Sequence, residues 1–401
     1  MGLIVQKFGG TSVSDDQRIF NVAKIVTKAY SQGNDVVVVV SAQGSTTDDL
    51  IAKARGINMH ASKREMDVLL SSGEQISVSL LAIAIESMKF PVVSLLGWQA
   101  GFHTCLTYGS AKIEKVDSHR IKKELDKKNI VIVAGFQGIN ECSDITTMGR
   151  GGSDTSAVAI AAAMNADACR IYTDVEGVYT ADPKIVKNAK KLNIIDYDEM
   201  LELSTLGAQV LNNRSVEMAK KYNVEVEVLS SMEDVPGTVV KEMKNVEKRA
   251  ISGVAADNNI ARITVTNIPD KPGFAFKLFS KLSANNIMVD VILQSHGKNN
   301  LNDISFTVTN DCLGDAVNIL KKYTGNWENS EILYDENVSK VSIVGTGMET
   351  QVGIASKMFE ALYEAQINIQ MISTSEIKVS VLIDSSDTNL ALNSIHDKFF
   401  R

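Results

Sequence analysis

About the first 240 residues alternate short β-branched runs with longer helical patterns, and this alternation restricts the possible folds more than any other feature. The runs DVVVVVSA (Asp35–Ala42) and NIVIVAGF (Asn129–Phe136) are continuously apolar, as in strands buried on both faces of a parallel sheet. Helical stretches such as EQISVSLLAIAIESM lie between such runs. We predict an α/β domain with right-handed βαβ crossovers, in which helices cover both faces of a mostly parallel sheet, a three-layer α/β/α arrangement.

The later part of the chain contains an internal repeat. One copy begins ARITVTNIPDKPGFAFKLF and the other SKVSIVGTGMETQVGIASKMF. Each predicts a strand, a glycine-containing loop, an amphipathic helix and further strands, in the order βαββαβ. The second copy has no fourth strand before Arg401, which would leave an open sheet edge. We expect the run AISGVAAD (Ala250–Asp257) to supply that strand.

Three domains follow from these patterns. The charged segment KEMKNVEKRA (residues 241–250) has no apolar stripe and separates the two styles of sequence. We predict an α/β domain over residues 1–245, a first βαββαβ domain over 261–335, and a second formed by 250–260 with 336–401.

Composition limits the location and the partners. The net charge of −7 argues against a nucleic-acid partner. The four cysteines are scattered, which predicts neither a zinc site nor a disulfide framework and suits a reducing compartment. We see neither a signal peptide nor an apolar run of the roughly 18 to 20 residues that span a bilayer. We therefore expect a cytoplasmic protein without a membrane partner.

The opening stretch MGLIVQKFGGTS brings Lys7, Gly9 and Gly10 to the end of the first predicted strand. A glycine pair lets backbone N–H groups approach a phosphate closely. The P-loop motif is excluded, because its lysine follows the glycines. Taken alone, the stretch is equally compatible with an ordinary strand–turn–helix start.

The stretch TTMGRGGSDTSAVAIAAAM places Arg150 among Gly149, Gly151 and Gly152, before an alanine-rich helix. Ser153 or Asp154 is expected to cap that helix. The helix start would present N–H groups to an anion, and an arginine can hold a carboxylate through two hydrogen bonds. A glycine-rich turn with a capping aspartate is the alternative.

Two further stretches offer ligand groups. IYTDVEGVYTADPK carries Thr173, Asp174, Tyr179 and Lys184, which can frame a nucleotide or belong to a surface hairpin whose aspartates cap turns. SSGEQIS is predicted to place Glu74 in the first turn of a helix, where a carboxylate is also favoured for structural reasons. Hydroxyl groups follow the second predicted strand in STTDD, including Thr47, and they too are compatible with a helix cap.

Together these motifs resemble the aspartate kinases of the amino-acid kinase family. KFGGTSV, TTMGRGGSD, TDVEGVYTADPK and MLELSTLGAQVL match that family in order and spacing, and the doubled C-terminal unit is similar to its paired, ferredoxin-like ACT domains. The resemblance covers essentially the whole chain. It implies phosphoryl transfer from MgATP to the β-carboxylate of L-aspartate, giving 4-phospho-L-aspartate, at the start of lysine, threonine and methionine biosynthesis.

The resemblance also implies residue roles. Lys7 would neutralise charge on the transferring phosphoryl group, and Asp154 would orient Lys7 or the metal shell. Magnesium would be held mainly through ATP. No general base is needed, because the acceptor carboxylate is ionised at neutral pH. Implied substrate contacts are Arg150 to the α-carboxylate, Glu74 to the α-ammonium, and Thr47, Phe136 and Ser153. The implied ATP-binding residues are Lys7, Gly9, Gly10, Ser41, Thr173, Asp174, Tyr179 and Lys184.

Two positions depart from the family pattern. Gln209 in GAQVL stands where many members carry a lysine that reaches toward the nucleotide, and Asn212 stands where a histidine is frequent. We expect activity to persist, with weaker ATP binding as the effect of Gln209, and we leave Gln209 out of the site.

The ACT-like units imply regulation by a small amino acid. Such units pair edge to edge between chains, which predicts a homodimer or homotetramer. Each glycine loop leads into a helix N-terminus, which suits an amino-acid carboxylate. We expect feedback inhibition by an end product, with L-lysine favoured over L-threonine because acidic groups are present. The candidate effector residues are Asp270, Asp290, Gln294, Met348, Gln370 and Glu376.

Two alternatives remain open from the sequence. The chain could be another amino-acid kinase that acts on glutamate, acetylglutamate or UMP, although the doubled C-terminal unit and the motif order count against it. It could instead be a catalytically silent amino-acid sensor, although the presence of Lys7, Arg150, Asp154 and Asp174 argues against that.

Overall fold

The computed structural model describes residues 2–207, 210–243, 250–296, 301–324, 330–348 and 351–401. The helices are α1 (Asp16–Ser31), α2 (Thr46–Ile57), α3 (Lys63–Ser87), α4 (His119–Asp126), α5 (Gly152–Met164), α6 (Tyr197–Thr205), α7 (Asn213–Tyr222), α8 (Phe274–Ala284), α9 (Leu313–Thr324), α10 (Ile354–Glu364) and α11 (Thr388–Phe400). The strands are β1 (Leu3–Phe8), β2 (Asp35–Val40), β3 (Val92–Leu95), β4 (Phe102–Thr104), β5 (Ile113–Val116), β6 (Ile130–Ala134), β7 (Gln137–Ile139), β8 (Ile145–Thr147), β9 (Ala168–Thr173), β10 (Ile194–Ile195), β11 (Val226–Ser230), β12 (Thr238–Val240), β13 (Gly253–Asp257), β14 (Ile260–Pro269), β15 (Ile292–His296), β16 (Leu301–Thr309), β17 (Ile332–Asp335), β18 (Val338–Val344), β19 (Met371–Thr374) and β20 (Lys378–Asp384).

The chain divides into two compact units. The first comprises Met1–Tyr179 and Lys190–Val246, and the second comprises Thr180–Ala189 and Glu247–Arg401.

The first unit is built on an eight-stranded sheet in the order β10-β12-β11-β9-β1-β2-β6-β3. Its central strands are parallel, and only the β11–β12 pair is antiparallel. Alternate valines of β2 point to one face, where they share a buried core with apolar residues of α1 and α3. Helix α5 packs on β1, β2 and β9 with α7 beside it. The predicted α/β fold with a mostly parallel sheet is confirmed.

A second, smaller sheet in this unit has the order β5-β4-β7-β8. No pattern in the sequence predicts this sheet. Its strands are only three or four residues long, which is too short for a period of two to stand out. Strand β8 matters for the site, since it leads directly into the loop before α5.

The second unit contains two four-stranded antiparallel sheets, ordered β15-β16-β14-β17 and β13-β18-β20-β19. Each has the ferredoxin-like order in which the first and third strands of the repeat are central. In the second sheet, β13 pairs antiparallel with β18, with Val254 opposite Ile343. The run that the sequence analysis expected to supply a missing strand therefore does so.

One segment of the predicted first domain packs elsewhere. Thr180–Ala189 belongs to the second unit, where Ala181 and Val186 enter the core beneath the second sheet. The Thr180 hydroxyl and His396 Nε2 are 2.8 Å apart, and the Thr180 carbonyl accepts a hydrogen bond from the Val254 N–H. Most of the charged segment at 241–250, namely residues 244–249, lies outside the described residues.

By length and composition alone, one described helix could cross a membrane. This is α3, and just over half of its most apolar window, 56%, is buried inside the protein. Helix α3 is not a continuous apolar run, since Glu74 and Gln75 lie within it, and it is apolar enough only on average. Its burial is that of a core helix, which explains the apolar composition.

Candidate active site

The motif residues gather at one edge of the eight-stranded sheet. Strands β9, β1, β2 and β6 are adjacent and parallel, so their carboxyl ends lie side by side, where α/β sheets bind ligands. Gly9, Ser41 and Asp174 follow β1, β2 and β9, and Phe136 follows β6 by two residues.

Lys7 and Asp154 form an ion pair at this edge. Lys7 Nζ lies 2.6 Å from Asp154 Oδ1, and both side chains are only 11–12% exposed. Lys7 comes from β1, and Asp154 lies in the first turn of α5. The pair places the Lys7 ammonium, with Asp154 as its counter-ion, at the point where the strand ends and the helix N-terminus meet.

The glycine pair allows the chain after β1 to lie against the chain after β2. A Cβ at Gly10 would lie 2.5 Å from the Ala42 carbonyl oxygen, and Gly10 O accepts a hydrogen bond from the Gly44 N–H at 3.0 Å. A side chain at position 10 would force the two backbones apart. Lys7 Nζ would lie 3.5 Å from a Cβ at Gly9, so the lysine and the glycine backbone face the same space.

Helix α5 begins differently from the prediction. Its N-cap is Gly151, in the left-handed region with φ of 69°, so Ser153 and Asp154 lie within the first turn and neither caps the helix. Ser153 packs against Gly135, where a Cβ would lie 2.7 Å from its Oγ. Phe136 has φ of 68°, and its N–H donates to Ser156 Oγ at 3.2 Å. The end of β6 is thereby fixed to the start of α5.

Glu74 lies in the middle of α3, so its prediction in a first helical turn is wrong. The apolar flanks of SSGEQIS belong to one long helix. Glu74 is 3% exposed, its Oε1 accepts a hydrogen bond from the Ala42 N–H at 3.0 Å, and its Oε2 is buried with no hydrogen-bond partner among the described residues. Burial raises the pKa of Glu74 to about 7. A buried carboxylate with a free oxygen is suited to a cationic ligand.

Arg150 is exposed on the loop between β8 and α5. Its backbone carbonyl accepts a hydrogen bond from Asn212 Nδ2 at 3.2 Å, and within the described ranges its guanidinium has neither a hydrogen bond nor an ion pair. Thr47 is half-buried in the first turn of α2, directly after the chain that follows β2. Both residues keep polar groups available to a ligand.

The nucleotide motif continues from β9. Thr173 Oγ1 donates to Asp174 Oδ1 at 3.1 Å, and Asp174 is exposed. Tyr179 donates its hydroxyl to Glu176 Oε2 at 3.2 Å, and burial raises the pKa of this tyrosine. Lys184 lies in Thr180–Ala189, the segment that belongs to the second unit, so its nucleotide contact stays a prediction.

Sequence reasoning did not assign three side chains that hold the Arg150 loop. They are Asp67 on α3, Asn212 at the N-cap of α7 and Arg214 in the first turn of α7. The sequence contains one indication of the role of Asp67. It stands seven residues before Glu74 and therefore lies on the same face of the helix. The other departure noted in the sequence, Gln209, lies outside the described residues.

The six candidate effector residues have different environments. Asp270 accepts a hydrogen bond from Asn302 Nδ2 at 3.0 Å, and Gln294 and Glu376 are exposed. Asp290 forms an ion pair with Lys340 of β18, so its carboxylate is already engaged. Met348 is 9% exposed and packs in the core of the second sheet.

Gln370 is the effector candidate with an unpaired polar atom. Its Oε1 is buried without a hydrogen-bond partner in the part of the chain that the structure describes. The helices after the two glycine loops, α8 and α10, start at equivalent left-handed glycines, Gly273 with φ of 98° and Gly353 with φ of 91°. The two helices therefore begin at N-cap glycines of the same conformation, as the repeat predicted.

Comparison with known proteins gives the family. The model of the Amino acid kinase family matches residues 2–230, and that of the ACT domain matches residues 341–399. An aspartokinase of Bacillus sp. (strain MGA3) is 47% identical over 400 residues, which cover 100% of this chain and 97% of that protein. The chain belongs to the aspartokinases of the amino acid kinase family.

Solved structures agree on the aspartokinase fold. E. coli aspartokinase III in complex with aspartate and ADP (R-state) matches with a TM-score of 0.84 at 23% identity, covering 100% of both chains. The same enzyme in complex with lysine and aspartate (T-state) matches with a TM-score of 0.78 at 23% identity, again over 100% of both chains. The resemblance to aspartate kinases and the predicted fold class are confirmed.

Proposed function

We propose that this aspartokinase transfers the γ-phosphoryl group of MgATP to the β-carboxylate of L-aspartate. A β-carboxylate oxygen attacks the γ-phosphorus, the bond to the bridging oxygen of ADP breaks, and 4-phospho-L-aspartate and ADP leave. The step moves no proton. The observation that carries the proposal is Glu74, a buried carboxylate with one unpaired oxygen at the edge where Lys7 and the start of α5 meet.

The phosphate end of the reaction is assigned to Lys7, Gly9 and Gly10. Lys7 neutralises charge on the transferring group, and Asp154 holds the lysine at 2.6 Å. The lack of side chains at Gly9 and Gly10 supports this role, because a phosphate can approach their backbone N–H groups closely, and Lys7 Nζ would lie 3.5 Å from a Cβ at Gly9. Phosphoryl transfer depends on this kind of positioning and charge neutralisation.

The amino-acid end is assigned to Glu74 and Arg150. An α-ammonium group pairs with the free oxygen of Glu74, and the exposed guanidinium of Arg150 binds the α-carboxylate through two hydrogen bonds. Thr47, Phe136 and Ser153 complete this pocket. The need for an ammonium group separates aspartate from acceptors that lack one, such as acetylglutamate and UMP.

The nucleotide is assigned to residues that follow β2, end β9 or come after it in the chain. They are Ser41, Thr173, Asp174, Tyr179 and Lys184. No group of three or more His, Cys, Asp or Glu side chains that could hold a metal occurs among the described residues. We assign Mg²⁺ to the ATP phosphates, where it supplies charge neutralisation.

The second unit is assigned to regulation. We propose two ACT domains, one formed by residues 261–335 and the other by residues 250–260 together with 336–401. They follow a catalytic domain over residues 1–245, of which the segment Thr180–Ala189 belongs to the second unit. An amino acid binds at their glycine loops and inhibits the kinase, with L-lysine favoured over L-threonine. The lysine complex of E. coli aspartokinase III supports this choice. The unpaired Gln370 Oε1 supports the binding of an amino acid, because it can accept a hydrogen bond from an ammonium group. The enzyme would act in the cytoplasm as a homodimer or homotetramer at the start of lysine, threonine and methionine biosynthesis.

Hydroxylamine trapping of the acyl phosphate tests both parts of the proposal. The assay is run with ATP and L-aspartate, alone and with L-lysine, L-threonine or both. We expect turnover that L-lysine suppresses. Turnover that neither amino acid changes would contradict the effector assignment, and binding of L-lysine without any turnover would contradict the kinase assignment.

A further inference from the structure

The loop of residues 148–151, which carries Arg150, is held from two sides by side chains of other elements. It joins β8 to α5 and contains Gly149 and Gly151 at φ of 76° and 69°. Glycines in this region have many alternative conformations. A loop of this composition therefore needs outside contacts to hold a guanidinium group in one place.

Asp67 of α3 holds the strand that enters the loop. It is fully buried, and its Oδ2 accepts hydrogen bonds from the Thr147 and Gly109 N–H groups, each at 2.9 Å. Its Oδ1 accepts a third from Thr147 Oγ1 at 2.6 Å. All three bonds go to the two chain segments on which the loop rests.

Arg214 of α7 holds the same two segments from the other side. Its guanidinium donates to the Met148 carbonyl and, at 2.9 Å, to the Ala111 carbonyl. The neighbouring Asn212 donates its Nδ2 to the Arg150 carbonyl at 3.2 Å and accepts the Arg214 N–H at 3.0 Å through Oδ1. The planar fork of an arginine can reach two carbonyls at once, whereas a lysine ammonium cannot match that geometry.

We propose that Asp67 and Arg214 are positioning residues that set the affinity for the amino-acid acceptor through the Arg150 loop. The proposal rests on the proposed function, in which Arg150 binds the acceptor α-carboxylate. Both side chains bond to the chain just before Arg150, at Thr147 or Met148, and to the neighbouring segment, at Gly109 or Ala111. Neither belongs to the residues assigned to the nucleotide. Helix α3 then serves both ends of the amino acid, because it carries Glu74 and, through Asp67, fixes the loop of Arg150.

Steady-state kinetics of four single variants tests the proposal. Asp67→Ala removes three hydrogen bonds. Arg214→Lys replaces the guanidinium, which bonds to two carbonyl groups, with an ammonium group. Both should raise the KM for L-aspartate about 10-fold or more, while the KM for ATP stays within about 2-fold. Asp67→Asn should remain near wild type, because its amide oxygen accepts both N–H groups and its NH2 donates to the Thr147 hydroxyl. Asp144→Ala is the control, since Asp144 lies in the turn between β7 and β8 and bonds to Arg64 of α3 and to Tyr108, not to the Arg150 loop.

A double variant with Arg150→Ala distinguishes a positioning role of Arg214 from a general structural role. In an Arg150→Ala background, Arg214→Lys should produce no further rise in the KM for L-aspartate. An equal rise in that background, or a parallel rise in the KM values for aspartate and ATP, would overturn the proposal. If Asp67→Ala fails to fold, Arg214→Lys and its double variant decide the matter.

Hydrogen exchange of the peptide spanning residues 148–152 needs no substrate. We expect faster exchange in Arg214→Lys and Asp67→Ala than in wild type or Asp144→Ala, and unchanged exchange would overturn the proposal. If the wild-type enzyme does not phosphorylate L-aspartate, or if Arg150→Ala leaves the KM for L-aspartate unchanged, the proposed function fails. The exchange rates would still show whether Asp67 and Arg214 hold the loop.

Discussion

At the scale of single residues, Glu74 has the most unusual environment in the candidate site. Burial raises its pKa to about 7, while the aspartate α-ammonium requires the ionised form. We expect kcat/KM for L-aspartate to rise with pH up to about 7 and then level off. In Glu74→Gln this rise should be absent and kcat/KM should be low throughout. A wild-type kcat/KM that stays constant between about pH 6 and about pH 8 would contradict the role of Glu74.

The same shift predicts an effect on the stability of the free protein. The pKa of Glu74 is higher in the folded state than its ordinary value of 4.5, so the folded state binds the proton more tightly. The stabilisation of the folded state by this tighter proton binding is fully present below pH 4.5 and is lost as the pH rises through about 7. Glu74→Gln should therefore stabilise the free protein at pH 8 by at most about 3 kcal/mol and have no such effect near pH 4.5. Denaturant unfolding at both pH values measures this.

Lys7 is expected to act mainly on the chemical step. Lys7→Ala removes the cation that neutralises the transferring group and leaves Asp154 without its partner at 2.6 Å. We expect kcat to fall on the order of 10²- to 10³-fold, with a smaller change in the KM for aspartate. Asp16→Ala, a change on the exposed first turn of α1, is a control. A loss confined to KM would contradict this assignment.

Short motifs revealed some of these residues because their members are close in sequence. Lys7, Gly9 and Gly10 lie within one stretch, as do Arg150 and Asp154. Asp67 and Arg214 could not be found in this way, because Asp67 bonds to a residue 80 positions away and Arg214 to one 66 positions away. Only the folded chain brings such partners together. The position of Glu74 was misjudged because nothing in its apolar surroundings marks a helix start.

At the scale of elements, the packing of the chain after β1 against the chain after β2 depends on Gly10. Gly10→Ala would place a Cβ 2.5 Å from the Ala42 carbonyl oxygen, and neither backbone can move without disturbing the strand ends. We expect a loss of about 1–3 kcal/mol of stability and a higher KM for ATP. Thermal unfolding and steady-state kinetics measure the two effects.

Gly56→Ala is the matched control, since a Cβ there meets nothing within 4 Å and the residue is helical. It should stabilise the protein by up to about 1 kcal/mol and leave both KM values unchanged. Equal behaviour of the two alanine variants would contradict the account of Gly10.

Long apolar runs and repeats made most elements predictable. Strand β6 is buried along its full length and β2 at every residue but Asp35, so continuous apolar sequence was a sufficient signal. The strands of the small sheet β5-β4-β7-β8 were not predictable. Each has only three or four residues, and β5 (IEKV) is half polar and partly exposed.

At the scale of the whole molecule, the order of the chain does not follow the order of the two units. The chain leaves the first unit at Thr180 and returns to it after Ala189. Strand β13 precedes the first repeat in sequence yet completes the sheet of the second repeat. The missing strand in the second repeat predicted the role of β13. No pattern predicted the excursion of Thr180–Ala189, because its few apolar residues join a core built from β13, β18, β20, α10 and α11, all distant in sequence.

Val254→Asp tests whether the second unit can be damaged separately. Val254 is 1% exposed in β13, and a carboxylate there would be buried without a partner. We expect an early unfolding transition and a lost response to L-lysine, while turnover without effector at low temperature persists. Asp257→Asn, at the end of the same strand, is the milder comparison. Simultaneous loss of basal turnover and of regulation would contradict this prediction.

The most direct test of the central claim compares acceptors in the hydroxamate assay with wild-type enzyme. L-Aspartate is compared with L-glutamate and with succinate, which keeps the acceptor carboxylate and lacks the α-ammonium group. The account predicts turnover on L-aspartate and at least about 100-fold lower kcat/KM for succinate, because the buried Glu74 would be left without its partner. Equal use of succinate, or no turnover on L-aspartate, would contradict it.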